Sequence, residues 1–193
     1  MSNALKYDLI PFDEYLSGER DIDTRNEYVN GQIYAMAGAS RAHNTIATTF
    51  AALIETNLEE ACQVWQSDMK VAIRNEMQDF AYYPDIMAAC DNKPGDEYTC
   101  TKPILIIEVL SRSTERNDLK EKFDNYTSIP SLIEYAVVSQ DVPLVRLFRR
   151  KTSWTMEMYR ADETFTLESV DIEVPVQHIY RRVRKEVGLD VSW

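Results

Sequence analysis

The chain has 193 residues, a net charge of −11 and a 45% hydrophobic content, which suits one domain with a sizeable core and excludes a disordered chain. Its acidity argues against a general nucleic-acid-coating protein, which carries a basic footprint, while leaving room for a local basic patch or for metal ions that offset acidic groups. No apolar stretch approaches the ~20 residues of a membrane helix, and MSNALKYDLIPFDEYL lacks the basic-then-apolar start of a secretion signal.

In chain order, residues 8–17 read as a short amphipathic helix closed by Gly18. EYVNGQIYAM (27–36) sets Asn30-Gly31 between two β-prone runs, a strong hairpin signal. From Ser40, apolar residues at Ile46, Phe50, Leu53, Ile54 and Leu58 follow helical spacing and predict a helix to about Ala61. QVWQSDMKVAI (63–73) alternates as one strand, and AYYPDIMAAC (81–90) reads as a core strand with a bulge or edge at its proline. Residues 91–102 form a polar loop, followed by PILIIEVLS (103–111), an apolar run suited to a strand covered on both faces. STERNDLKEKFDNYTS (113–128) carries Leu119, Phe123 and Tyr126 on one helical stripe and ends before Pro130. SLIEYAVVS, VPLVRLFRR, SWTMEMYRA and TFTLES read as four strands, the first three a meander, before a short closing helix in VPVQHIYRRVRKEV. There is no repeat or linker, so residues 1–193 are expected to form a single mixed α/β (α+β) domain around one central sheet.

Cys62, Cys90 and Cys100 form an odd, widely spaced set. They are expected to be passive thiols in a reducing cytoplasm. Two basic bunches, Arg146/Arg149/Arg150/Lys151 and Arg181/Arg182/Arg184/Lys185, read as solvated faces.

Glu108 breaks the apolar run of PILIIEVLS. A buried carboxylate is costly unless a cation or a hydrogen-bond network compensates it. Alternation puts it on one face with Ile106 and Leu110. Asp85 sits in a similar setting in the preceding strand. If the two converge, either a divalent ion such as Mg²⁺ or Mn²⁺ or a shared proton must relieve their repulsion. On the next helix, Asp118, Lys122 and Tyr126 lie along one face. Asp118–Lys122 is either an exposed pair worth ~0.3–0.5 kcal/mol or the base from which Lys122 reaches the carboxylates. Ser111, Ser113 and Thr114 are expected to cap that helix.

Pro84-Asp85 followed 23 positions later by Glu108 resembles the PD-(D/E)xK signature of restriction-endonuclease-like nucleases. Leu110 stands where that pattern places lysine. The string EVLSRSTERNDLKEKFDNYTSIPSLIEYAVV resembles one branch in particular, the Uma-type family of restriction-endonuclease-like proteins, over about residues 10–180. Arg112 and Ala136 depart from that family's usual residues, at positions away from the expected ligands.

The resemblance implies a central mixed sheet flanked by helices and a metal-dependent endonuclease acting on DNA. Asp85 and Glu108 would hold one Mg²⁺ or Mn²⁺ with the Val109 carbonyl, and Lys122, migrated to the helix, would position water or neutralise charge. Glu27 would be an outer ligand. His43 would shuttle a proton, touch phosphate, or simply sit satisfied at a helix start. Asp118 would orient Lys122 or support the helix N-terminus. The resemblance also favours a homodimer. Two other readings stay open: a catalytically inactive nuclease-fold module that binds nucleic acid or a partner, and a carboxylate-pair hydrolase of sugars.

Overall fold

The computed structural model describes residues 9–74, 78–90, 97–110 and 115–189, with side chains of the third helix from residue 120 onward. Helix α1 (Phe12–Gly18) leads into the hairpin β1 (Asn26–Val29) and β2 (Gln32–Ala35). Its turn places Asn30 and Gly31 at φ +48° and +91°, the left-handed region that an Asn-Gly pair tolerates. Helix α2 (Arg41–Glu55) starts on Ser40, whose side chain accepts from the His43 amide. It stops six residues short of Ala61, at the Thr56-Asn57 pair, where the Asn57 amide turns back to the Ile54 carbonyl.

Two segments expected as single strands are each two. QVWQSDMKVAI gives β3 (Gln63–Gln66) and β4 (Lys70–Arg74), and the next segment gives β5 (Asp79–Tyr82) and β6 (Ile86–Ala89). The pieces lie in different sheets. Between the pairs Gln66↔Ile86 and Val71↔Tyr82, four residues (67–70) face three (83–85). One strand thus carries an extra residue, with Ser67 at φ +60°. Such a bulge bends the ribbon sharply and turns side chains at the bend. Pro84, which has no amide to donate, sits at that bend, as its presence in the strand predicted.

The chain continues through β7 (Thr99–Cys100), β8 (Leu105–Leu110), α3 (Glu115–Thr127), β9 (Glu134–Ser139), β10 (Leu144–Arg149), β11 (Met156–Arg160), β12 (Thr164–Leu167), β13 (Ile172–Pro175) and α4 (Val176–Tyr180). The meander β9–β10–β11 is present. Strand β13 was not anticipated, because IEVP runs straight into the helical VQHIY.

Among the described residues the strands form three sheets: β2-β1-β5-β4-β7, β11-β10-β9-β8-β6-β3 and the β12-β13 hairpin. The mixed six-stranded sheet is central, with β8 antiparallel to β6 and parallel to β9. One of its faces packs through Ile107 and Val109 against α2, α4 and the β12–β13 hairpin. The other packs through Ile106 and Val137 against Tyr126 of α3 and Val71, Phe80 and Tyr82 of the five-stranded sheet. Burial on both faces explains the unbroken apolar run of β8.

Two further expectations are corrected. Cys62 and Cys90 are joined in a disulfide. The cause is register: Gln63 pairs with Ala89, so the two cysteines face each other one step beyond the β3–β6 ladder. Arg149 is not on a solvated face. It is buried, and its guanidinium binds Glu134 (2.9 Å), Glu157 and the Thr166 carbonyl (2.7 Å).

Candidate active site

The site forms where the β6–β8 ladder ends. The last pair is Ile86↔Ile107. The next outward-facing amide on that edge of β8 belongs to Val109, and with no β6 backbone opposite it donates to Asp85 Oδ2 at 2.7 Å. The bend at residues 83–85 therefore lets a side chain finish what the backbone ladder leaves open. The N–H and C=O of one strand residue project from the same edge, so the Val109 carbonyl faces the same side as Asp85.

The Glu108 side chain leaves β8 by the face opposite the Ile107 and Val109 side chains, toward α3, and reaches the same cleft as Asp85. Glu108 is 3% exposed. Its Oε1 accepts from the Tyr126 hydroxyl at 2.8 Å and lies 3.5 Å from Lys122 Nζ. Lys122 donates to Glu27 Oε1 at 2.7 Å, and its ammonium lies 5.3 Å from the centre of the Tyr82 ring. His43, on the first turn of α2, places Nε2 3.1 Å from Asp85 Oδ2. Asp85, Glu108, Lys122, Glu27 and His43, with Val109, therefore line one open cleft of about 810 Å³. Its walls include Arg25, Ser40, Asn44 and Gln140. Leu110 lines it as well, so the apolar residue at the usual lysine position faces the cleft into which Lys122 reaches from α3. The side chain of Asp118 and the capping residues Ser111, Ser113 and Thr114 lie outside the described residues.

Each carboxylate of the central pair has one oxygen held by the protein. Asp85 Oδ2 is held by Val109 and His43, and Glu108 Oε1 by Tyr126 and Lys122. Among the described residues, Asp85 Oδ1 and Glu108 Oε2 carry no hydrogen bond. Burial pushes the Glu108 carboxyl up to about 7; Lys122 opposes this, while Asp85 and Glu27 add to it. Burial works against a charged Lys122, but Glu108 and Glu27 outweigh it and hold the ammonium above its ordinary range. For His43, burial also disfavours the charged form, and the hydrogen bond and charge of Asp85 more than offset it, raising its pKa. The site is a carboxylate-rich hole in which one lysine already balances part of the charge.

Sequence reasoning placed Tyr126 on the right helical face without giving its hydroxyl a partner. It missed the Val109 amide, whose partner depends on where the ladder stops. Lys122 and Glu27 are 95 positions apart, beyond any local spacing signal.

No helix among the described residues is long and apolar enough to cross a membrane. A crystal structure described as "a putative nuclease belonging to DUF820" from Anabaena variabilis shares this fold. Its TM-score is 0.73 at 14% identity, over 89% of this chain and 98% of that one. Two Synechocystis proteins are similar in sequence. Protein slr1290 is 34% identical over 175 residues (88% of this chain, 90% of its own), and sll1609 is 32% identical over 131 residues (66% and 73%). Residues 12–177 match the family model described as "Putative restriction endonuclease". The chain belongs to the Uma2 family.

Proposed function

We propose that this protein is a metal-dependent endonuclease that hydrolyses DNA phosphodiester bonds in the Asp85–Glu108–Lys122 cleft. The observation that carries this reading is the pair of carboxylates, each with one oxygen fixed and the other without a hydrogen bond among the described residues, beside a lysine in one open cleft. Oxygen donors of this kind suit Mg²⁺ or Mn²⁺. Asp85 Oδ1, Glu108 Oε2 and the Val109 carbonyl would hold the ion. When bound, it supplies a Lewis acid for the phosphate and a lowered pKa for water. Electrostatics point the same way: Asp23, Glu27, Asp85 and Glu108 line the cleft against Lys122 and Arg25, and a DNA phosphate needs more positive charge there than those two cations offer.

The chain's own groups divide the remaining work. Lys122 orients the attacking water or balances charge developing on the phosphate. Glu27 holds the Lys122 ammonium at the cleft. His43 holds Asp85 and can carry a proton at Nε2. Cutting both strands of a duplex calls for two such clefts, so the working unit is a homodimer.

A second reading, a nuclease-fold binding module without catalysis, draws on another observation. Lys122 already bridges Glu27 and Glu108, and among the described residues no three His, Cys, Asp or Glu side chains form a ready metal cage.

The test is cleavage of supercoiled plasmid and single-stranded DNA with Mg²⁺ or Mn²⁺, with and without chelator, by wild type and Asp85→Ala. The endonuclease reading expects metal-dependent cleavage that falls at least about a hundredfold in the variant. Equal cleavage by both, or none by wild type across the panel, removes it.

A further inference from the structure

We propose that Tyr126 is a positioning residue that sets which oxygen of Glu108 is offered to a cation. This rests on the metal-site reading above. Among described residues, the hydroxyl of Tyr126 has one hydrogen-bond partner, Glu108 Oε1 at 2.8 Å. Both side chains are buried, with Tyr126 fully covered.

The ring has little freedom to move. Tyr82 packs edge-on with centroids 5.5 Å apart, and Tyr135 lies against it at 5.4 Å. Asn125 and Glu121 in turn fix the Tyr82 hydroxyl, at 2.7 Å and 3.1 Å. The hydroxyl is therefore held in place by aromatic packing rather than by the carboxylate it serves.

A carboxylate turns about its terminal torsion with little preference between orientations. Beside Lys122 and a bound ion, Glu108 could present either oxygen or chelate with both. The Tyr126 hydroxyl removes that choice. It occupies Oε1 and leaves Oε2 without a hydrogen bond among the described residues. Asp85 is treated alike from the other side, with the Val109 amide and His43 both on Oδ2. Tyr126 is thus to Glu108 what the Val109 amide is to Asp85. Outer partners of this kind typically change metal affinity 10–100-fold when removed.

Lys122 makes the arrangement necessary. It lies 3.5 Å from the same Oε1. Without the hydroxyl, the carboxylate is free to swing fully onto the ammonium and close the site as an internal ion pair. Tyr126 shares Oε1 with the lysine, so the other oxygen stays available.

The experiment is Mn²⁺ binding by calorimetry and by electron paramagnetic resonance, without DNA. It uses the full chain as wild type, Tyr126→Phe and Tyr180→Phe. The last removes another fully buried tyrosine hydroxyl, one that bonds the backbone of Ser139 and Leu144, neither of which lines the cleft. We expect Tyr126→Phe to weaken Mn²⁺ binding 10–100-fold and to alter the resonance spectrum of the bound ion, with Tyr180→Phe unchanged in both. Wild-type affinity in Tyr126→Phe overturns the positioning role and leaves the metal site standing. No Mn²⁺ binding by wild type overturns both. Should Tyr126→Phe not fold, a wild-type crystal soaked in Mn²⁺ decides. Tyr126 on one Glu108 oxygen and the ion on the other upholds the proposal, and chelation by both oxygens, or a released Tyr126, refutes it.

Discussion

Two buried glutamates on neighbouring strands of the central sheet meet opposite fates. Glu134, at the start of β9, is fully buried and fully served. Arg149 Nε donates to one oxygen at 2.9 Å, and the amide and hydroxyl of Ser169 donate to the other at 2.8 and 2.7 Å. Through that knot β9, β10 and β11 are tied to the turn between β12 and β13. Glu108, near the end of β8, has one oxygen engaged and the other without a hydrogen bond among the described residues. Since β8 and β9 run parallel, the two lie toward opposite ends of the sheet. A buried charge with both oxygens satisfied is architecture; one left half satisfied beside an open cleft is where chemistry is expected.

That contrast can be broken at either end. Glu134→Ala takes the acceptor from Arg149 Nε and from both Ser169 donors in the interior, and should cost about 3–5 kcal/mol in chemical denaturation. Cleavage per folded molecule should be unchanged. Lys122→Met should do the reverse. It should lower the single-turnover cleavage rate roughly a hundredfold to a thousandfold, with a much smaller effect on folding. A Lys122→Met protein that loses stability but cleaves normally would place Lys122 with the Glu134 knot instead.

Metal addition should separate the two ends by a similar margin. An ion that binds only the folded chain stabilises it by about 2.7 kcal/mol at a hundredfold excess over its dissociation constant. Thermal unfolding should show this rise in wild type and in Glu134→Ala, and no rise in Asp85→Ala. Equal rises in all three would point to binding elsewhere.

The smallest expected effect is with pH. Burial raises the folded-state carboxyl of Glu108 from its ordinary 4.5 to about 7. Between those values the folded chain keeps a proton that the unfolded chain has lost, so stability falls as pH rises through the window. The loss should be on the order of 2 kcal/mol between pH 5 and 7 in metal-free protein. Glu108→Gln should remove that slope, read as the difference between the two stability profiles. Identical profiles would mean that Glu108 is compensated as fully as Glu134.

Local chemistry made much of this molecule legible in its sequence. Asn30-Gly31 announced the first hairpin, Ser40 the start of α2, and the alternation after Pro130 the β9–β11 meander. Glu108 stood out as a charge in an apolar strand, the residue pattern set Asp85 and Lys122 beside it, and family resemblance added Glu27 and His43. What stayed hidden was set by register and bending. The two segments that became β3–β4 and β5–β6 keep an alternating or apolar pattern through their breaks. A single extra residue opposite residues 83–85 decides that each splits between sheets. The Cys62–Cys90 bond and the Val109 amide follow from where ladders end, and pattern alone does not reveal that. Arg149 looked like one of a surface cluster because its partners, Glu134 and Glu157, come from other strands.

The most direct test of the central claim is metal-dependent plasmid cleavage by Glu108→Gln, measured beside its unfolding free energy. This substitution keeps the shape of the side chain and removes its charge. The account predicts that cleavage falls at least about a hundredfold while stability at neutral pH holds or rises, since a costly buried charge is gone. Cleavage at the wild-type rate, or a loss of several kcal/mol in stability with activity intact, would show Glu108 to be a second structural glutamate.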